Sequence, residues 1–173
     1  MLHIYIDDFK SDFQTSYDNA INSIQLHQLS CSSCNHHDLI RHDTYERHVI
    51  MDNEIIILRV VRVKCKHCGK THAILPSTLV PYQQVPVATQ YDIITDYSNN
   101  KSIYSSLERH PFIDESLARA ILKRFASFWK ERLIAASIKM DSIKDLIFKC
   151  ISNYKLQFMQ IRYTPISIFS PPT

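Results

Sequence analysis

Glycine is nearly absent from this sequence, and several catalytic signatures are missing altogether. One glycine occurs among 173 residues, so the chain cannot build the glycine-rich loops that surround nucleotide phosphates. It contains no His-Glu-x-x-His motif and no serine in a nucleophile-elbow context. No apolar run approaches the roughly 20 residues of a membrane-spanning helix. We therefore expect a protein that is neither an enzyme nor a membrane protein.

The amino-terminal segment lacks the features of a secretory signal. It reads MLHIYIDDFK, with acids where a signal peptide carries a basic region and an apolar stretch. We therefore expect a cytoplasmic protein. Thiols stay reduced in the cytosol, so paired cysteines there indicate metal binding or catalysis and not disulfides.

Basic residues are unevenly distributed along a chain that has enough apolar residues to fold. The sequence is 45% hydrophobic and carries a net charge of +3. Residues 38–72 hold seven Lys and Arg against five acids, and residues 101–133 hold seven against four. Such local excess fits a nucleic-acid partner, although solvated helices show the same pattern.

Two Cys-x-x-Cys pairs carry the clearest chemical signal. The first is CSSC and the second is CKHC, and their four cysteines are Cys31, Cys34, Cys65 and Cys68. Asn35 and Gly69 follow the two pairs, and both residue types tolerate the positive φ that such a turn needs. Four thiolates in a tetrahedron form a closed structural zinc site. We predict Zn²⁺ at these cysteines; unrelated buried thiols and a redox pair are the alternatives.

Histidines near the two pairs leave a second assignment open. His36, His37, His67 and His72 could replace a cysteine, bind a second ion, or serve as polar or supporting residues. Cys150 lies far from the pairs on an apolar helical stripe, and we expect a buried core thiol there.

Apolar periodicity predicts an α+β fold in two modules. A strand at Leu2–Ile6 and a helix capped by Asp7 or Asp8 precede the first cysteine pair. A β-hairpin with arms 44–51 and 55–64 fills the interval between the pairs. Prolines then mark a boundary, which gives a zinc-ribbon domain at 1–86, a helical domain at 87–163 and an extended tail at 164–173.

The second module is predicted to be all-helical. Its helices are expected at 87–97, at 101–109, from Asp114 to about residue 139, and after a cap at Asp141. The short helix, turn and long helix resemble a helix-turn-helix, in which the start of the second helix enters the DNA major groove. A plain helical bundle with a charged outer face is the alternative. Trp129 is expected in the core.

Exposed basic residues on the hairpin and on the long helix are the candidate DNA contacts. The nucleic-acid-binding candidates are Arg59, Arg62, Lys64, Lys66, Lys70, Arg119, Lys123 and Arg124. A protein-interaction adaptor is the other candidate function, with a homodimer contact expected at Phe158 and Ile161 of the last helix.

Residues 31–82 resemble a bacterial family associated with mobile elements. The segments TYERH and ILRVVRVKCKHCGKTHAILPSTLVPY carry the resemblance. The chain is similar, more loosely, to the N-terminal zinc-ribbon and helix-turn-helix parts of insertion-sequence transposases, and its helical half matches in outline. The resemblance implies metal at the four cysteines and DNA binding. The helical pattern after Pro86 leaves no place for a transposase catalytic sheet, so we expect an accessory or regulatory relative without catalysis.

Overall fold

A computed structural model of the chain describes residues 1–6, 12–51 and 54–160. Over this part the fold is α+β, as predicted, with one four-stranded sheet and six α-helices. The strands are β1 (Leu2–Ile4), β2 (Leu39–Met51), β3 (Glu54–Cys65) and β4 (Thr71–Pro76). The helices are α1 (Phe13–Ser23), α2 (Val87–Ser98), α3 (Ile103–Arg109), α4 (Glu115–Phe128), α5 (Lys130–Ala135) and α6 (Ile143–Tyr154).

The chain forms two compact units. Unit 1 comprises Met1–Val49 and Ile56–Ser77, and unit 2 comprises Ile50–Ile55 and the chain from Thr78 onward. That residues 1–86 and 87–163 fold as separate domains, as expected from the sequence, stays a prediction. The predicted tail at 164–173 lies outside the described residues.

The sheet has the strand order β1-β4-β3-β2. β1 runs parallel to β4, with Leu2 opposite Ile74, whereas β3 runs antiparallel to β4, with Val63 opposite His72. The predicted hairpin arms correspond to β2 and β3, which are neighbours in the sheet and extend beyond the predicted limits. The sequence did not predict β4.

Helix α1 packs beside the residues of β3 that do not pair with β4, and its side chains bond to the backbone of Arg59 and Val61. Its N-cap is Asp12, whose side chain accepts a hydrogen bond from the Gln14 N–H at 3.0 Å; the caps predicted at Asp7 and Asp8 lie outside the described residues. The Tyr17 hydroxyl is fully buried, accepts from the Val61 N–H and donates to the Ile74 carbonyl, both at 2.9 Å. A helix side chain therefore occupies the point where β3 and β4 separate.

The predicted long helix from Asp114 is two helices, which corrects the expectation of one. Asp114 caps α4 as predicted and accepts from the Leu117 N–H at 2.7 Å. The chain bends at Trp129, which is fully buried, whereas Phe128 is 45% exposed and does not continue the predicted apolar stripe. Trp129 was expected in the core, and its burial confirms that prediction.

The last helix is shorter than predicted and begins one residue later. Ser142, not Asp141, is the N-cap of α6, and Lys155 ends the helix with a left-handed backbone. Phe158 lies after the helix and packs edge-on against Trp129 at 5.4 Å between ring centroids. Trp129 and Phe158 thus lie in the core of unit 2, with Ile121, Leu146 and the predicted core thiol of Cys150.

Candidate metal centre

Both Cys-x-x-Cys pairs form the same closed turn. In the first, the N–H of Asn35 donates to the Cys31 carbonyl at 2.8 Å; in the second, the N–H of Gly69 donates to the Cys65 carbonyl at 2.9 Å. A further bond, from the N–H of the first cysteine to the carbonyl five residues later, closes each turn at 2.9 Å. Asn35 and Gly69 have φ values of 60° and 71°, which confirms the positive φ predicted for both.

The two turns bring all four predicted sulfurs together. Cys31 Sγ lies 3.6 Å from Cys68 Sγ, and Cys34 Sγ lies 3.6 Å from Cys65 Sγ. All four atoms lie within 4.8 Å of one another, an arrangement that could hold a metal ion. The cysteines are free, because the sulfurs are much farther apart than the roughly 2.05 Å of a disulfide.

The electrostatics of the cluster favour a cation. Burial acts to raise the pKa of Cys31, but hydrogen bonds from the Ser33 and Cys34 backbones and from neighbouring thiols outweigh it and lower the pKa to about 5. At Cys34 a backbone hydrogen bond at His36 lowers the pKa, but burial and the three other thiols raise it to about 12. Neighbouring thiolates repel one another, so four of them coexist only beside a positive ion.

Of the four nearby histidines, His72 supports the cluster from β4. It is 6% exposed, and its Nε2 lies 3.2 Å from Cys31 Sγ. Its Nδ1 lies 3.2 Å from Ser32 Oγ in the first turn. His72 therefore orients a sulfur from outside the four-thiol set, which is the supporting role that the sequence left open.

The other three histidines are exposed. The rings of His36 and His67 stack, with centroids 3.5 Å apart and planes 9° from parallel, and both lie beside Cys34. His37 belongs to neither candidate metal group of the described residues.

The predicted DNA contacts of unit 1 differ in availability. Arg62 forms an ion pair with Asp43, and Lys66 lies 3.8 Å from Asp38. The remaining three are exposed and make no ion pair with any described residue: Arg59, Lys64 and Lys70. Within the described part of the chain, these three are the candidates of this unit that no acidic side chain neutralises.

The predicted DNA contacts of unit 2 all lie on α4. Arg119 is exposed and pairs with Glu115 at 2.5 Å, one helical turn away. Lys123 is exposed, whereas Arg124 is half-buried and donates to Gln83 Oε1 at 2.6 Å. Arg119 and Lys123 are therefore the two outward-facing members of the set.

Two exposed tyrosines near Arg119 were not predicted as site residues. Tyr97 ends α2 and Tyr104 begins α3, and their side chains are 60% and 59% exposed. Glu115 first, then Tyr104 and Tyr97, raise the pKa of Arg119, which shows that these groups are neighbours. The sequence signal for them is a tyrosine on each side of the turn between α2 and α3.

Fold and site define the class as an α+β protein with a four-cysteine cluster that could hold a metal ion. The family model of a domain of unknown function, DUF6431, matches residues 31–119, which is 89 of the 173 residues. The chain belongs to this family. The matched segment begins at Cys31, includes the whole cluster and continues into α4.

Comparison with curated proteins and with solved structures gave no match. Among the described residues, none of the helices is both long and apolar enough to cross a membrane.

Proposed function

We propose that Cys31, Cys34, Cys65 and Cys68 hold a structural Zn²⁺ ion in a zinc-ribbon arrangement. A tetrahedral zinc site with bonds of about 2.3 Å has sulfur–sulfur edges of about 3.8 Å. The Cys31–Cys68 and Cys34–Cys65 pairs lie at 3.6 Å, near that edge length. The soft sulfur donors, the two matching turns and the His72 contact all favour zinc over a hard cation such as Mg²⁺.

The proposed ion stabilises the fold and catalyses nothing. Four thiolates complete the tetrahedral shell, so no position is left for a water or a substrate. Zinc contributes roughly 10–16 kcal/mol to the folding of small finger peptides, and a whole domain is stable by only about 5–15 kcal/mol. Metal binding is therefore large enough to decide whether unit 1 folds.

Replacement of one ligand tests the zinc site. Cys65→Ser should abolish tight zinc binding and unfold the sheet of unit 1, because the remaining three thiols cannot complete the shell. Zinc content is measured by mass spectrometry after dialysis, and folding by far-ultraviolet circular dichroism. Cys150→Ala is the control and should keep one tightly bound zinc ion per chain. Unchanged zinc content in Cys65→Ser would contradict the site.

We further propose that unit 2 binds DNA through α4. The observation that carries this proposal is the packing of α2, α3 and α4 as one three-helix group, with Arg119 and Lys123 outward on successive turns near the start of α4. The sequence resemblance to transposase DNA-binding parts supports it. The side chains of Tyr97 and Tyr104 add aromatic surface beside Arg119, which suits contact with bases.

Arg119 must exchange partners to bind DNA. It is paired with Glu115, so a guanine edge or a phosphate has to replace that carboxylate. Lys123 has no such cost, because no described carboxylate pairs with it. The proposal therefore assigns phosphate contact to Lys123 and base contact to Arg119, with Arg124 holding Gln83 within the unit.

Charge variants of α4 test DNA binding. Arg119→Ala and Lys123→Ala should each weaken binding to a duplex by about 1–3 kcal/mol, whereas Glu115→Gln should strengthen it by releasing Arg119. Binding is measured by fluorescence anisotropy at increasing salt. Lys123→Ala should also reduce the slope of log affinity against log salt concentration by about one, the contribution of one phosphate contact. Lys139→Ala is the control, and affinity that does not change with salt would overturn the proposal.

A protein-interaction adaptor is the second candidate. Strands β2 and β3 expose Ile40, Ile55 and Ile57, which are 40%, 55% and 56% exposed. On α6 the exposed apolar residue is Phe148. Of the two residues expected to form a dimer contact, Phe158 is fully buried in its own unit and Ile161 lies outside the described residues. Retention of a protein partner after nuclease treatment, with no affinity for DNA, would favour the adaptor.

A further inference from the structure

A second group of ligand atoms lies at the surface beside the four-thiol cluster. Cys34 Sγ and a ring nitrogen from each of His36 and His67 all lie within 4.8 Å of one another. We propose that these three side chains form a second, weaker and solvent-accessible site for Zn²⁺. The site shares the Cys34 thiolate with the ion of the four-cysteine cluster, so it rests on the zinc site proposed above.

The hydrogen bonding of His36 prepares its other nitrogen for a metal ion. Its Nδ1 lies 3.0 Å from the carbonyl oxygen of Cys34. A carbonyl only accepts, so the proton of the neutral ring is on Nδ1 and the lone pair is on Nε2. Metal-binding histidines commonly donate their second ring nitrogen to a backbone carbonyl in this way.

The rings of His36 and His67 stack face to face beside Cys34. Their centroids are 3.5 Å apart and their planes are within 9° of parallel. Nitrogen and sulfur ligands of one tetrahedral zinc ion lie about 3.4–3.6 Å apart, so the three atoms have to approach by up to about 1.4 Å. The stack also has to open, because a zinc ion lies near the plane of each imidazole that binds it. Both imidazoles are exposed, so side-chain rotations can provide this movement.

The charge of the first site attracts a second cation. Four thiolates around one divalent ion leave two net negative charges, and a second divalent ion on the Cys34 sulfur neutralises them. Cys34 and Cys68 are half-buried, whereas Cys31 and Cys65 are fully buried, and Cys34 is the one that lies within reach of both histidines. Exposure of the two histidines makes this second ion the exchangeable one.

Zinc stoichiometry tests the second site on the intact, zinc-loaded chain. Calorimetric titration with additional Zn²⁺ should show a second equivalent that dialysis removes, while the first equivalent stays bound. The double variant His36→Gln/His67→Gln should keep the dialysis-resistant equivalent and weaken the second at least tenfold. His37→Gln is the matched control, because His37 is an exposed neighbour outside the group. This variant should bind both equivalents of Zn²⁺ as wild type does.

Two results would overturn the second site. Wild-type protein that saturates at one equivalent would show that the histidine stack is surface packing only. A double variant that binds the second ion as wild type does would place that ion elsewhere. Failure of the zinc-ribbon proposal is distinguishable, because the dialysis-resistant equivalent would then be missing from wild type itself.

Discussion

At the scale of single residues, two backbone conformations shape the cysteine cluster. Asn35 and Gly69 adopt positive φ immediately after their cysteine pairs, where the chain must reverse to bring the next carbonyl toward the first cysteine N–H. The left-handed conformation costs most residues roughly 1–2 kcal/mol, and glycine and asparagine adopt it with less strain. The choice of residue at these two positions would therefore affect the affinity of the cluster for a metal ion without contacting that ion.

Gly69→Ala isolates this backbone effect. A Cβ added at Gly69 meets no atom within 4 Å, so the substitution adds strain and no clash. We expect the zinc-loaded protein to lose about 1 kcal/mol in free energy of unfolding, measured by urea denaturation. Gly69→Asn, which reproduces the residue of the first turn, should cost less. Equal losses in the two variants would mean that the φ value is not the cause.

The residues of the cysteine turns were predictable because their geometry is local. A Cys-x-x-Cys spacing followed by Asn or Gly specifies a turn within six residues, and no distant contact is needed. The burial of Trp129 was predicted, whereas the exposure of Phe128 beside it was not. Adjacent positions fit a helical stripe almost equally well, and the bend between α4 and α5 decides which one faces inward.

At the scale of elements, the separation of β3 from β4 depends on α1. β4 pairs with β3 at Val63 and then pairs with β1 from Ile74 onward. The Tyr17 hydroxyl lies at this fork and bonds both strands. Burial, the largest effect, raises the pKa of this hydroxyl to about 12, so it stays protonated and keeps its donor at neutral pH.

Tyr17→Phe should therefore destabilise the protein through unpaired backbone groups. The variant leaves the Val61 N–H and the Ile74 carbonyl without their buried partner, at a cost of about 1–3 kcal/mol for each unsatisfied group. We expect a total loss of about 2–4 kcal/mol in free energy of unfolding, measured by urea denaturation. Tyr5→Phe removes an exposed hydroxyl and should change little. A neutral Tyr17→Phe would show that water replaces the hydroxyl.

Elements with a regular period were predicted well, and those set by distant pairing were not. The amphipathic patterns of α2, α3 and α6 and the β-branched run of β3 identify them locally. The segment THAILP forms β4 because it lies between β1 and β3, and its residues from His72 to Pro76 are all buried. Such a continuous buried run has no alternation to mark it as a strand.

At the scale of the whole molecule, the two units have different sources of stability. Unit 2 has an apolar core of its own around Trp129, Phe158 and Leu146. Unit 1 contains the four-thiol cluster and the four-stranded sheet, apart from the hairpin residues Ile50–Ile55. If zinc occupies the cluster, its removal acts on unit 1 first.

Chelation at neutral pH should separate the two contributions. Trp129 is the only tryptophan of the sequence and is fully buried in unit 2, with Phe158 and Tyr154 against its ring. We expect a chelator to reduce the strand signal in circular dichroism while the fluorescence of Trp129 stays at the wavelength of a buried indole. The Cys65→Ser variant should give the same spectra without chelator. A red shift that accompanies metal loss would show that unit 2 also depends on the ion.

The α+β class was predictable for the whole molecule, but the strand order was not. The parallel pair of β1 and β4 joins residues such as Leu2 and Ile74, which are far apart in sequence. Amphipathic patterns specify which face of an element is buried, and they do not specify its neighbour.

Cys65 is the last residue of β3, so a metal ion bound at the cluster would also fix the alignment of this strand. A shift of β3 by one residue along β4 would turn the Cys65 sulfur to the opposite face of the sheet and remove it from the other three. A bound ion would therefore disfavour a shifted pairing of β3 and β4 during folding. Newly synthesised chains that lack metal would lose this safeguard and would expose unpaired strand edges prone to aggregation.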